Sequence, residues 1–157
     1  MTEPYKIIEV KESVFADNDR EAARLRVQLK QDRTFLLNLM SSPGSGKTTT
    51  LRFILYIYQA AFPSNEILLA APTGRASRRM SEQTGKYAST LHSALGLVTE
   101  EDSPLNDTEM LSADLIVVDE FSMVDMRLAY VLLERIKPGA QLIIVGCLLY
   151  TSPSPRD

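Results

Sequence analysis

Ten residues, Ser41 to Thr50 (SSPGSGKTTT), constrain the fold of this 157-residue chain more than any other stretch. They follow an apolar run, Phe35 to Met40, and precede a helical pattern from Leu51 to Ala61. Strand, glycine-rich turn, Gly-Lys-Thr and helix, in that order, make a phosphate-binding P-loop in its expected context. Glycines let the backbone curl until several N–H groups point at one phosphate, and the helix that follows adds its positive end. The motif assigns phosphate binding to Pro43, Gly44, Ser45, Gly46, Lys47, Thr48 and Thr49. Lys47 would reach the β- and γ-phosphates, a catalytic role, and the Thr48 hydroxyl would ligate Mg²⁺. One departure is visible: Ser41 stands where the motif usually has its first glycine. A serine- and glycine-rich linker could carry the same letters, but not the flanking strand and helix.

A second element supplies what phosphate binding lacks. Leu115-Ile116-Val117-Val118 is a run for a buried strand, and Asp119-Glu120 emerges at its C-terminal end, where open α/β sheets bind ligands. Asp119 would hold Mg²⁺ opposite Thr48. Glu120 would orient or deprotonate an attacking water, a second catalytic role. An acidic helix cap after a core strand would look similar; the P-loop about 70 residues earlier favours the catalytic reading.

Between these motifs strands and helices alternate. Residues 5–10 read as a short strand. Residues 17–31 read as a helix, capped from Asp17, Asn18 or Asp19, with Ala22, Leu25, Val27 and Leu29 on its apolar face. Strands are expected at 34–40, 66–71, 115–118 and 141–145, and helices at 47–61, 75–82, 89–97 and 125–136. Near-continuous apolar strands alternating with helices imply a parallel sheet covered on both faces. Residues 99–109 read as an acidic loop around Pro104. Thr151 to Asp157, with Pro153 and Pro155, cannot continue a central strand or a helix. The expected organisation is an N-terminal strand and helix segment (1–33), a core (34–146) and a disordered tail (147–157).

Composition adds bounds. Hydrophobic residues make up 45% of the chain, enough for a core, and the net charge of −3 does not announce a nucleic-acid binder. One cysteine, Cys147, allows no internal disulfide and fits a reducing compartment. One Cys and one His cannot build a metal cluster without carboxylates. No apolar run approaches a membrane span, and the charged N-terminus lacks a signal-peptide core. The expectation is a soluble cytoplasmic protein with no membrane partner. Arg75, Arg78, Arg79 and Lys86 form a basic cluster that suits either a phosphate backbone or a solvated helix face. On residue type, His92 reads as a structural histidine and Cys147 as a buried thiol.

Four runs, taken together, resemble a family. They are Gly44 to Thr50 (GSGKTTT), Leu69 to Ala76 (LAAPTGRA), Ala88 to His92 (ASTLH) and Val117 to Asp125 (VVDEFSMVD). From about residue 44 to 146 the chain resembles a RecD-type DNA helicase of superfamily 1. The resemblance implies a RecA-like P-loop NTPase core, a three-layer α/β/α fold with a parallel sheet, truncated before its last strands. It implies ATP and Mg²⁺ as cofactors and single-stranded DNA as partner, with Thr73, Arg75, Thr90 and His92 along the DNA. It also implies that the second motor domain, with its arginine fingers, is missing. The expectation is therefore slow or no ATP hydrolysis and no unwinding by this polypeptide alone.

Two other stretches resemble something else. Residues 5–49, through Glu9 to Asp19 and Leu37 to Thr49, resemble the nickel-inserting GTPase of hydrogenase maturation, in which Ser41-Ser42-Pro43 is a usual start of the P-loop. The metal motifs and the guanine-reading Asn-Lys-x-Asp of such a GTPase are absent. Residues 147–157 resemble translated sequencing-adapter DNA. A chimeric reading frame joined inside the P-loop is the corresponding expectation. A GTPase metallochaperone and a nucleotide-binding fragment without function are the alternative readings of the chain.

Overall fold

Apolar runs that lack polar alternation can only be strands if both of their faces are buried, and the architecture meets that demand. The computed structural model describes residue 20 and residues 23–41, 46–97 and 109–147. Helix α1 covers residues 23–31, with residue 20 also helical. Then come β1 (Phe35–Ser41), α2 (Lys47–Ala61), β2 (Ile67–Ala71), α3 (Gly74–Thr84) and β3 (Ser89–Thr90). A short α4 (Leu91–Ala94), β4 (Leu115–Val118), a 3₁₀ turn (Phe121–Met123), α5 (Met126–Arg135) and β5 (Gln141–Cys147) complete the described elements. The five strands form one sheet in the order β1-β5-β4-β2-β3, and every pairing is parallel. The expected parallel α/β architecture is what the chain adopts.

Two cores sit on opposite faces of this sheet. The period of two along each strand divides them. Leu115, Val117, Leu69, Ile143 and Val145 face α2 and α3, where Leu51, Leu55, Tyr58 and Met80 meet them. Ile116, Val118, Ala70 and Leu142 face α4 and α5, where Leu91, Leu95, Leu128 and Leu132 meet them. All four residues of β4 are fully buried, so this strand is the spine of both cores. Arg135 is buried beside the second core and donates a hydrogen bond to the Leu95 carbonyl oxygen.

Three expectations need correction. The helix expected over 89–97 is a two-residue strand followed by one helical turn. Ser89 and Thr90 pair with Ala70 and Ala71 of β2. Thr90 then caps α4 by accepting from the Ser93 N–H at 3.2 Å, and Gly96, at φ 68°, ends it. Periodicity could not detect a strand of two residues. The expected apolar face of α1 also differs: Val27 is 56% exposed. Leu25 and Leu29, four apart on one face, line a small cleft with Leu133 of α5. Finally, α5 starts at Met126, and Asp125 is its cap, accepting from the Leu128 N–H at 2.8 Å. The expected strand at 5–10, the caps at Asp17 to Asp19, most of the acidic loop and the tail beyond Cys147 lie outside the described residues.

Candidate nucleotide site

Residues at or just beyond the C-terminal ends of β2, β4 and β5, with the start of α2, line one cavity of about 670 Å³. Its floor is the start of α2. Gly46 caps that helix in the left-handed region, at φ 86°. A Cβ there would touch nothing within 4 Å, so the constraint is backbone conformation, which only glycine adopts without strain. The Gly46 carbonyl accepts from the Thr50 N–H at 3.0 Å and starts the helical ladder. Lys47 and Thr48, the first two residues of α2, line the cavity. The other phosphate-loop residues, Pro43, Gly44 and Ser45, lie outside the described residues.

Strand order decides what Lys47 meets. β5 lies between β1 and β4, in register from Phe35 opposite Gln141 to Ser41 opposite Cys147. That insertion brings the Gly146 carbonyl beside the phosphate-loop helix, where the Lys47 Nζ donates to it at 3.2 Å. The Thr48 hydroxyl donates to the Gln83 Oε1 of α3 at 3.4 Å.

The opposite wall comes from the end of β4. The Asp119 N–H still pairs with the Ala70 carbonyl, at 3.0 Å, so Asp119 is held as the last rung of the sheet. Glu120 then turns to φ 51° and ψ 38°, the left-handed region, uncommon for a residue with a side chain. Its N–H donates to Asp119 Oδ1 at 2.8 Å, and its carbonyl accepts from the Met123 N–H at 2.9 Å to begin the 3₁₀ turn. Both carboxylates line the cavity and are half-buried. Sharp turning at this point stops β4 and presents two consecutive acids to one space.

The third wall is α3, whose basic cluster suited either a phosphate backbone or a solvated face in the sequence, with Thr73 and Arg75 on DNA by resemblance. Thr73 caps it, accepting from the Ala76 N–H at 3.2 Å. Thr73 and Arg75 line the cavity, and so do Arg79 and Gln83. Arg75, Arg79 and Gln83 are spaced by four and therefore share one helix face. Gln83 is not among the sequence candidates; its spacing from Arg75 and Arg79 gives a shared face but not what that face meets. Arg79 was noticed only as a member of the basic cluster.

The remaining candidates fall elsewhere. Thr49 lies on the outer side of α2 and lines a separate apolar groove with Phe53 and Tyr56. Thr90 and His92 are outside the cavity. Thr90 ends the sheet-edge strand β3, directly beside Ala71 of β2, and His92 is exposed on α4. Thr73 and Thr90 thus leave adjacent strand ends, and each hydroxyl caps the helix that follows.

The donor set fits Mg²⁺. A hydroxyl from Thr48 and a carboxylate from Asp119 are hard oxygen ligands, and Mg²⁺ usually takes one or two protein oxygens plus phosphates and waters. No group of three or more His, Cys, Asp or Glu side chains able to hold a metal occurs among the described residues. No described helix is long and apolar enough to cross a membrane.

Comparison with known proteins agrees with this fold. The model of the AAA domain family matches residues 22–147. The ATP-dependent RecD2 DNA helicase of Deinococcus radiodurans is 39% identical over 111 residues, covering 71% of this chain and 15% of that protein. The RecBCD enzyme subunit RecD of Mycolicibacterium smegmatis is 36% identical over 151 residues, covering 82% of this chain and 27% of that protein. Among solved structures, the Pif1 helicase from Candida albicans aligns with a TM-score of 0.52 at 25% identity, over 80% of this chain and 31% of that one. The chain therefore spans about a quarter or less of the length of these two curated relatives.

Proposed function

The chain belongs to the AAA domain family and is part of a RecD-type superfamily 1 helicase motor domain, and on that premise we propose that its cavity binds Mg-ATP. One observation carries the reading. Lys47 and Thr48 from the start of α2 share a cavity with Asp119 and Glu120 from the end of β4. A cation, a hydroxyl and two acids around one space are the parts that phosphoryl transfer uses, since its catalysis is mostly positioning and charge stabilisation.

In this reading Lys47 exchanges its bond with the Gly146 carbonyl for phosphate oxygens. Thr48 and Asp119 hold Mg²⁺, which neutralises charge on the phosphates when bound. Glu120 orients the attacking water and takes its proton. Gly44, Ser45, Gly46 and Thr49 supply backbone N–H groups to the phosphates, and Pro43, which has no N–H, stiffens the entry to the loop.

Single-stranded DNA is the partner of this reading. Thr73, Arg75, Thr90 and His92 leave the C-terminal ends of adjacent strands β2 and β3, so one strand of nucleic acid could run over both. Contacts of this kind read backbone and base faces rather than sequence, as translocation needs. The partner motor domain, with its arginine fingers, belongs to the rest of a longer relative. Within such a motor the described residues work as the nucleotide-binding part.

Thermal melting with Mg-ATP and with Mg-GTP tests the reading, because a ligand that binds only the folded state raises the melting temperature. A rise with ATP that vanishes in Lys47→Ala is expected. No rise with either nucleotide overturns it, and a rise with GTP alone restores the GTPase alternative.

A further inference from the structure

Two features of α3 are not accounted for by a helix that only borders DNA. Gln83 accepts from the hydroxyl of Thr48, the residue that the reading above gives to Mg²⁺. Arg79 lines the same cavity, yet it forms no hydrogen bond or ion pair among the described residues. Two carboxylates, Asp119 and Glu120, line that cavity as well, so an arginine there is not short of anionic company, but it is bonded to neither.

The contact of Gln83 fixes the register of the helix against the site. Arg79 is four residues, about 6 Å of helix rise, nearer the N-terminus of α3. The N-terminus of α3 follows directly from the C-terminal end of β2. Moving from Gln83 to Arg79 therefore moves from the Thr48 hydroxyl toward the rim of the sheet where Asp119 and Glu120 stand. Arg75 lies one further turn out, and Thr73 and the strand-end loop are beyond it. Arg79 thus shares one cavity with the two acids and with Lys47.

We propose that Arg79 binds the terminal phosphate of the nucleotide, with Gln83 positioning the Thr48 hydroxyl, so that α3 forms an arginine-bearing wall of the nucleotide site from within this chain. The inference rests on the nucleotide reading above. The chemistry suits the residue. Arginine presents a planar fork of donors that matches phosphate oxygens and keeps its charge beside other cations. Mg-ATP retains net negative charge, and the cavity's two carboxylates oppose it, so the phosphate end calls for cations besides Lys47; of the two arginines lining the cavity, Arg79 is the one a turn nearer the Thr48 hydroxyl. Arg79 restores the balance. Gln83 is neutral; by accepting from the Thr48 O–H it turns the oxygen lone pairs away from α3 and toward the cavity, as a metal-binding hydroxyl requires.

The test measures affinity for Mg-ATP and Mg-ADP by equilibrium titration on the 157-residue chain, for the unaltered protein, Lys47→Ala, Arg79→Ala, Arg79→Lys and Gln83→Ala, with circular dichroism confirming the fold of each. Binding of a labelled single-stranded oligonucleotide is read in parallel. Arg79→Ala is expected to weaken Mg-ATP by about tenfold or more and Mg-ADP by less than about twofold, with Arg79→Lys in between, because the bidentate contact is charge-assisted and made only to the terminal phosphate. Gln83→Ala is expected to weaken Mg-ATP more than metal-free ATP. Three results overturn the proposal: unchanged nucleotide affinities in Arg79→Ala while Lys47→Ala loses binding; equal losses for ATP and ADP; or loss of oligonucleotide binding alone, which would assign Arg79 to DNA. If Lys47→Ala leaves Mg-ATP binding intact, the nucleotide reading itself fails, and the role of Arg79 falls with it.

Discussion

The ammonium of Lys47 donates a hydrogen bond of 3.2 Å to the carbonyl oxygen of Gly146, 99 residues later in the chain. That single contact ties the phosphate-loop helix to β5, the strand inserted between β1 and β4. It follows that removing the lysine should affect ligand and fold very differently. One half-buried hydrogen bond contributes about 1 kcal/mol net to stability. In Lys47→Ala the melting temperature without ligand should fall by only a few degrees. The stabilisation by saturating Mg-ATP, about 2.7 kcal/mol at a hundred times the dissociation constant, should disappear. Paired thermal melts with and without Mg-ATP check both halves.

Glu120 sits at φ 51°, and the bond from its N–H to Asp119 Oδ1 holds it there. A side chain in the left-handed region costs on the order of 1 kcal/mol relative to glycine. Glu120→Gly should therefore be more stable than Glu120→Ala by about 1 kcal/mol in urea titration. A glycine variant no more stable than the alanine variant would show that the turn relaxes in solution.

Leu132 of α5 is fully buried against β4 and β5, whereas Tyr56 of α2 is 74% exposed. Truncating Leu132 to alanine should cost about 2–5 kcal/mol, through lost transfer energy and the cavity left behind. Tyr56→Ala should stay within about 0.5 kcal/mol. Chemical denaturation of the two variants separates them. Equal effects would mean that the outer face of α2 is covered in solution.

Asp114 precedes β4 and forms an ion pair of 2.7 Å with Lys137. Its carboxylate also accepts from the Glu66 N–H at 2.9 Å. The Lys137 ammonium first, and the Glu66 N–H second, hold its pKa below the usual carboxylate value. A carboxyl whose folded pKa is depressed stabilises the fold above its unfolded pKa, near 4, and loses that contribution as pH falls through the lowered value. Asp114→Asn should melt lower than the unaltered chain at neutral pH, and the gap should close as the pH drops below about 4. A gap independent of pH would show that the pairing contributes through geometry rather than charge.

The chemistry was legible in the sequence because it is local. Gly46-Lys47-Thr48 and Asp119-Glu120 each follow an apolar run, and the residues before and after them report a buried strand through unbroken apolar runs and a helix through repeats near 3.6. Those patterns located β1, β2, β4, β5, α2 and α5 to within a residue or two. They failed at Ser89-Thr90, too short to show a period, and at Val27, which one pattern could not orient without knowing the partner. The role of α3 as a wall of the cavity was not legible either. Arg79 and Gln83 are polar residues on a helix, and nothing local says whether such a face meets solvent, DNA or a neighbouring site.

By itself, then, the sequence determined the alternation of strands and helices, the glycine that must take a positive φ at the start of α2, and the residue types able to bind phosphate and Mg²⁺. Each depends on side-chain chemistry or backbone freedom within a few neighbouring positions. Only the tertiary structure decided that β5 enters between β1 and β4, that Lys47 reaches Gly146, and that Gln83 lies against Thr48. Strand order depends on which apolar faces can be buried against which helices, a condition on the whole chain at once. The distance between two side chains far apart in sequence follows from that order and from nothing nearer.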